Sequence, residues 1–411
     1  MNSTEIYQTK RSFLTAGQKL VQGLPKPRKK FYQDLFYGMA KTKSVILSDI
    51  ARSLEEPIHP LYTTKRLSRQ VSHAADLQQV QKNYSQIIQK HIIDDALVIV
   101  DESDITKPYA EKMEALGHVH DGSHNRIEKG YPTVNFSIAT TETKHPIPLY
   151  HSVCSAKAEG FESMNVEVAK GFNHVDRLFD GKQYTLVMDR GYDSNKIYEY
   201  IENQNHHFIT RLNDRRYLLH KNKRIKVPDL ANRRKGKINF STTIKGTHYD
   251  LKASHIEVRL PVLKDTPLYM VVVYGYGKKP MKLLTNLEIK GKPDVLRVLK
   301  GYITRWRIEE LFRVQKQEFG LEKIRTMSLN SLQILYHIMN YLIGHYSIMI
   351  EKNNGLAKMI IERARSTNDI ATIKFYLYRF IRGVSNILSF DSTGIRHFHR
   401  IEERSNQLSL L

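Results

Sequence analysis

The 411-residue sequence predicts an α/β protein with a helical N-terminal region, a basic β-rich segment set into its core, and a helical C-terminus. Three observations predict this. Residues 96–100 (ALVIV) and 184–188 (YTLVM) are apolar runs, each followed at once by an aspartate, Asp101 and Asp189. Short runs of this kind are strands buried on both faces of a helix-covered sheet. Before residue 95 apolar side chains recur at helical spacing. Between 211 and 282 the period shortens, and β-branched and aromatic residues gather between Gly and Pro.

Composition narrows the class of partner. Hydrophobic residues make up 41% and charged residues 26%, the balance of an ordinary globular chain. Lys+Arg number 64 against 42 Asp+Glu, a net charge of +22 that favours an extended polyanion. No run of about 18 apolar residues and no strongly basic amphipathic helix is present, which selects nucleic acid over a membrane surface. Cys154 is the single cysteine, so an intrachain disulfide is excluded and a reducing compartment is expected. The opening MNSTEIYQTKRSF lacks the apolar segment of a secretory signal, and a cytoplasmic protein is expected.

The positive charge is concentrated. Residues 1–95 hold 15 basic and 8 acidic side chains, and residues 211–282 hold 18 and 5, leaving the rest nearly neutral. In the first stretch, KSVILSDIARSLEE (43–56) sets Ile46, Leu47, Ile50, Ala51 and Leu54 on one helical face, with Pro57 ending it. TTKRLSRQV (63–71) reads as a second helix capped by Thr63 or Thr64. It buries Leu67 and Val71 and exposes Lys65, Arg66 and Arg69. The pair resembles a helix-turn-helix with a long link, or a helical bundle with a basic face; contact with phosphate is expected either way. In the second stretch, RRYLLHKNKRIKV, NRRKGKINF, YDLKASHIEVRLPV and PLYMVVVYGYG read as a basic β-rich module. Arg233, Arg234 and Lys235 are its candidates for backbone contact.

Further strands are expected at 133–141, 146–154, 207–212 and 281–289, and helices at 162–179 and 194–204. A set of neighbouring strands, a helix, then strand–helix–strand is α/β in the ribonuclease-H manner. Catalytic groups in such sheets gather beyond strand ends, where Asp101 and Asp189 would meet. Asp104 and Asp193 read as turn residues or supporting partners, and Arg190 and Arg211 as backbone contacts by position.

A third carboxylate lies in YITRWRIEELFRVQKQEFGL. At about 100° per residue, Tyr302, Arg305, Glu309 and Lys316 share one narrow stripe of a largely apolar helix, and Glu310 leaves it. A surface ladder of Arg305, Glu309 and Arg313 would explain the charges but not the aligned tyrosine and lysine.

The order Tyr302, Arg305, Glu309, Lys316 resembles the YREK signature of insertion-sequence transposases with an Asp-Asp-Glu triad, more narrowly the insertion-sequence-four family. VDESDITKPYAEKMEAL around Asp101 and MDRGYD (188–193) resemble its two aspartate motifs. The resemblance covers roughly residues 90–345. It implies a ribonuclease-H-like catalytic core interrupted by a β-rich insertion, and a metal-dependent enzyme that cleaves and rejoins DNA. Asp101, Asp189 and Glu309 would bind two Mg²⁺, with Mn²⁺ substituting. Without metal at least one of the three carboxyls would have a raised pKa. Arg305 and Lys316 would hold DNA phosphates, and Tyr302 would bond the strand near the cut. The partners implied are double-stranded DNA, as transposon ends and target, and a second copy in a homodimer, with no membrane and no organic cofactor. The setting implied is the nucleoid of a bacterial or archaeal cytoplasm.

The expected division is an N-terminal helical DNA-binding region (1–92), the core's first part (93–212), the basic insertion (213–280), the core's second part (281–345) and a helical C-terminal region (346–411). His118, His120 and His124 lie in a Gly-containing loop and read as no zinc site. RHFHR (396–400) reads as a basic surface, and 371–388 as an amphipathic helix. The alternatives are a catalytically inactive DNA-binding regulator derived from a transposase, and a structure-specific nuclease that cuts without joining.

Overall fold

The computed structural model describes residues 2–73, 75–94, 96–122, 125–139, 145–244, 246–352, 355–364 and 376–395. Five helices come first: α1 (Ser3–Leu20), α2 (Lys26–Thr42), α3 (Leu47–Ser53), α4 (Pro60–Val71) and α5 (Leu77–Gln89). Pro25 and Pro27 preset the entry to α2, and Lys43 closes it in a left-handed conformation. Every residue from Phe31 to Lys41 is buried, because α2 is wrapped by its neighbours rather than laid on a surface. The expected helix at 43–56 is shorter, since Glu55 turns to a positive φ before Pro57 is reached. The expected cap at Thr63 or Thr64 is also corrected. His59 caps α4 through Nδ1, Pro60 supplies the first helical residue, and Thr63 lies inside the helix donating to Glu56. Leu67 and Val71 are buried as their spacing requires.

The sheet begins with β1 (Ala96–Thr106), β2 (Gly117–Asp121), β3 (Arg126–Ala139) and β4 (Ile147–Val153). Then follow α6 (Met164–Phe179), β5 (Tyr184–Met188), α7 (Asn195–Asn203) and β6 (His207–Arg211). β3 lies antiparallel between β1 and β4, while β1, β5 and β6 run parallel. The connection from β5 to β6 passes through α7, as parallel neighbours demand, and α6 links β4 to β5. Ser163 caps α6, and Gly171 lets that helix lie on Phe136, whose ring would stand 2.2 Å from an added Cβ. The expected loop at 118–124 is in part strand. His118 and His120 alternate outward along β2, and His124 falls outside the described residues.

The basic stretch folds as β7 (Tyr217–His220), β8 (Lys223–Lys226), α8 (Val227–Asn232), β9 (Ile238–Ile244), β10 (Thr247–Leu260) and β11 (Leu263–Tyr274), and the chain returns as β12 (Met281–Thr285). Lys221 and Asn222, both at positive φ, form the tight turn between β7 and β8. These strands are not a module on linkers. β12 pairs with β6, β11 with β12 and β10 with β11, so one twelve-stranded sheet runs from the core into the basic segment.

The remaining helices are α9 (Lys292–Thr304), α10 (Trp306–Arg313), α11 (Leu329–Glu351), α12 (Gly355–Glu362) and α13 (Leu377–Leu388). α11 is buried on nearly all sides between β4 and the N-terminal helices. α13 packs on α1, α2 and α11. Just after it, Asp391 receives Tyr37 Oη at 2.6 Å and Lys10 Nζ at 2.8 Å, which ties the two ends of the described fold together. Of the expected helix at 371–388, residues 371–375 lie outside the described part, as does RHFHR.

Candidate active site

Strand register brings the aspartates together. The parallel pairing of β1 and β5 ends with Ile99 opposite Val187. Two residues further along each strand stand Asp101 and Asp189, on the same face because side chains alternate. Asp101 is not at a strand end, as its sequence setting suggested: β1 continues to Thr106, paired there with β3 alone. Asp189 does follow the last residue of β5 and opens a short 3₁₀ turn.

The third acid arrives on α9 and α10. Gly301 lets α9 approach β6, where an added Cβ would lie 2.7 Å from Ile209 Cδ1. The next residue, Tyr302, donates its hydroxyl to Asp189 Oδ1 at 3.0 Å. At the break between the two helices, Arg305 is buried and bonds Asp101 Oδ2 at 2.8 Å and Glu309 Oε1 at 3.0 Å. Carboxylates from β1 and α10 thus share one guanidinium, and Tyr302 links the third. Glu310 points elsewhere, accepting from Arg313 at 3.0 Å and from Tyr378 Oη at 2.8 Å.

The electrostatics follow from this packing. Burial pushes the Asp101 carboxyl up to about 6; Arg305 opposes that shift, and Asp189 and Glu309 add to it. Asp189 is held below the ordinary carboxylate value. Burial raises it, but the Arg190 backbone, Arg305, the Tyr302 hydroxyl and Arg211 together outweigh burial. Burial first, then Asp189, raises Tyr302 to about 12, so it stays protonated at neutral pH and donates its hydrogen bond to Asp189. Arg211, the last residue of β6, therefore faces the acids.

The other sequence candidates divide. Lys316 lies in a π turn (Val314–Glu318) and pairs with Asp104 at 2.9 Å and Glu322 at 3.2 Å rather than standing free for phosphate. Asp193 is structural, receiving Arg216, Tyr198 and the Asn213 amide. Arg190, Arg233 and Lys235 are exposed, and Arg234 is half-buried with its carbonyl accepting from Tyr274 Oη. Lys65 and Arg69 are exposed on α4. Arg66 is not; it bonds buried Asp34 at 2.8 Å and Glu56 at 3.1 Å, since an uncompensated Asp34 could not be buried. Spacing alone missed Glu322 and Tyr276, the latter close enough to Glu309 to feel its charge. Tyr276 comes from a segment remote in sequence, where no local signal could have found it; Glu322 lies only six residues after Lys316, just past the stretch that carries the stripe.

Among the described residues no three His, Cys, Asp or Glu side chains are close enough to one another to hold a metal ion. In this arrangement the three acids are spaced by Arg305 and Tyr302. As donors they suit a hard divalent cation, since all are carboxylate oxygens. No helix among the described residues is long and apolar enough to cross a membrane.

The sheet and this acid centre define an α/β protein built around carboxylates drawn from three distant segments. Residues 93–343 match the family described as Transposase DDE domain, and the chain belongs to that family. Among solved structures it is similar to the piggyBac transposase synaptic complex with hairpin DNA, seen by cryo-EM. That likeness has 11% identity over 97% of this chain and 84% of that one, with a TM-score of 0.45. It is also similar to the crystal structure of the NurA nuclease from Sulfolobus solfataricus, at 10% identity over 72% of this chain and 99% of that one, with a TM-score of 0.25. No curated protein matches.

Proposed function

We propose that the protein is a cut-and-paste DNA transposase that binds the terminal inverted repeats of an insertion sequence, cleaves there and joins the ends to target DNA. The observation that carries this reading is the convergence of Asp101, Asp189 and Glu309 on Arg305 and Tyr302, within the matched family segment. The strand order β4-β3-β1-β5-β6, with its first three strands antiparallel and its last three parallel, supports a ribonuclease-H-like core. Tyr302, Arg305, Glu309 and Lys316 support placement in the insertion-sequence-four family by its YREK signature. The boundaries at 92, 212, 280 and 345, action as a homodimer, and work on the nucleoid of a bacterial or archaeal cytoplasm belong to the same proposal.

Asp101, Asp189 and Glu309 would hold two Mg²⁺, or Mn²⁺. Bound there, the ions would activate a water or 3′-hydroxyl and stabilise the leaving oxygen of an in-line displacement. The chain's own groups set the rest. Tyr302 fixes the orientation of Asp189. Arg305, once released by the acids, presents its two-pronged fork to a phosphate, which a lysine could not do. Arg211 adds positive charge beside Asp189 and draws the strand inward. Lys316, anchored by Asp104 and Glu322, places a point charge at the end of the same helical stripe.

The test uses DNA bearing the inverted repeats that flank the gene, with Mg²⁺ and a target plasmid. Joined products are expected from the parent. Cleavage without joining would indicate a nuclease, and end binding without cleavage a regulator. Glu309→Gln is expected to abolish cleavage while end binding survives, and Glu310→Gln to keep most activity. The reverse ranking would overturn the site.

A further inference from the structure

We propose that the groove between α1, α5 and the C-terminal half of α11 is a second nucleic-acid contact, gripping a phosphodiester backbone. It rests on the reading that DNA is the partner, and it shares no residue with the acid centre. The groove encloses about 1500 Å³. Small-molecule pockets run to roughly 300–1,000 Å³, so this one suits a polymer segment.

Its charge has one sign. Arg11 and Lys19 line it from α1, Lys90 from the end of α5 and Lys352 from the end of α11, all four exposed. No Asp or Glu is among the described residues that line it. Two histidines lie within reach of these cations' charge. His91 is lowered by burial, then by Lys352 and Lys90; His345 is lowered to about 3 by burial, then by Lys352 and Lys19. Amides line it as well: Gln8 and Gln22 on and after α1, Gln86 and Gln89 on α5. Cations with amides and no carboxylate are what a phosphate backbone and base edges require. On the floor, the buried Tyr341 hydroxyl has no hydrogen-bond partner. Helix C-termini favour lysine, which would account for Lys19, Lys90 and Lys352 but not for Arg11 or the absence of acids.

The experiment compares full-length parent, R11Q/K19Q/K90Q/K352Q, and a control of equal charge change at exposed lysines outside the groove, K157Q/K170Q/K196Q/K300Q. Binding to a labelled duplex of arbitrary sequence and to a labelled single strand is titrated with chelator present, from about 50 to about 200 mM salt. The salt slope of the groove variant is expected to fall by about 0.9 per lost contact on duplex or about 0.7 on single strand, up to about 3.6 and about 2.8 in all. The control should change by less than one contact. Equal slopes for the groove variant and the control on both probes overturn the groove. So does a groove variant whose only change is a lower melting temperature, since the cations then serve the helix ends. A parent that binds neither probe sinks the DNA reading itself, a separate outcome.

Discussion

Arg305 is the counter-charge for two of the three acids, yet at Asp101 burial outweighs it. Its carboxyl is raised from 3.8 to about 6, chiefly by burial. The folded state therefore holds this proton more tightly than the unfolded chain. Stability from the group is fully present below about pH 4 and is lost as pH rises through about 6. In chelator, the unfolding free energy of the parent minus that of Asp101→Asn should increase by on the order of 2 kcal/mol between about pH 7 and about pH 4. Denaturant titrations at several pH values measure it, and a difference that is flat or falls toward acid would contradict the buried acid centre. At this scale the sequence was most legible along one helix. The angle between Glu309 and Glu310 on the helix separates them in sequence alone, because helical geometry is local. What lay across the cleft was not legible: the spacing could mark Arg305 and Lys316 as cations on a stripe but not that acids already hold both.

Elements show the same division. Strands at 146–154 and 207–212 and helices at 162–179 and 194–204 are found within a few residues, since apolar period and flanking breakers are sequence properties. Exposure on α4 was half legible. Leu67 and Val71 fix the buried face, but nothing near Arg66 in sequence reveals Asp34, thirty-two residues earlier. Arg66→Ala should thus destabilise the fold by about 3 kcal/mol, leaving Asp34 with Lys30 alone. Lys65→Ala with Arg69→Ala should leave the melting temperature unchanged and weaken DNA binding. If Arg66→Ala melts like the parent, the packing of this helix is misread. For α9, Gly301→Val would push the helix off Ile209 and withdraw Tyr302 and Arg305 from the aspartates. Cleavage should fall about a hundredfold, a misplacement of about 1 Å at the chemistry, with end binding retained; undiminished cleavage would show that the close approach is dispensable.

Across the whole molecule the basic segment is continuous with the core sheet, so its charge is carried on a rigid extension of the strands that hold the acids. Composition showed the excess of cations and periodicity showed the strands. Neither could show that β12 and β11 join the two, because long-range pairing leaves no local mark. Replacing Arg233, Arg234 and Lys235 by Gln should reduce the salt slope of duplex binding by about 2–3 at unchanged fold, as neutralised contacts each remove about 0.9. Gel-shift titrations across salt decide it, and an unaltered slope would place the phosphate contacts elsewhere.

α13 and Asp391 complete the burial of α2, Lys10 and Tyr37 from more than three hundred residues downstream. A ribosome delivers those pieces in the opposite order to their need. While the polypeptide is still being made, its opening helices present bare apolar flanks and an unanswered lysine. The burial of α2, Lys10 and Tyr37 seen in the finished fold is complete only once the final described helix has left the exit tunnel.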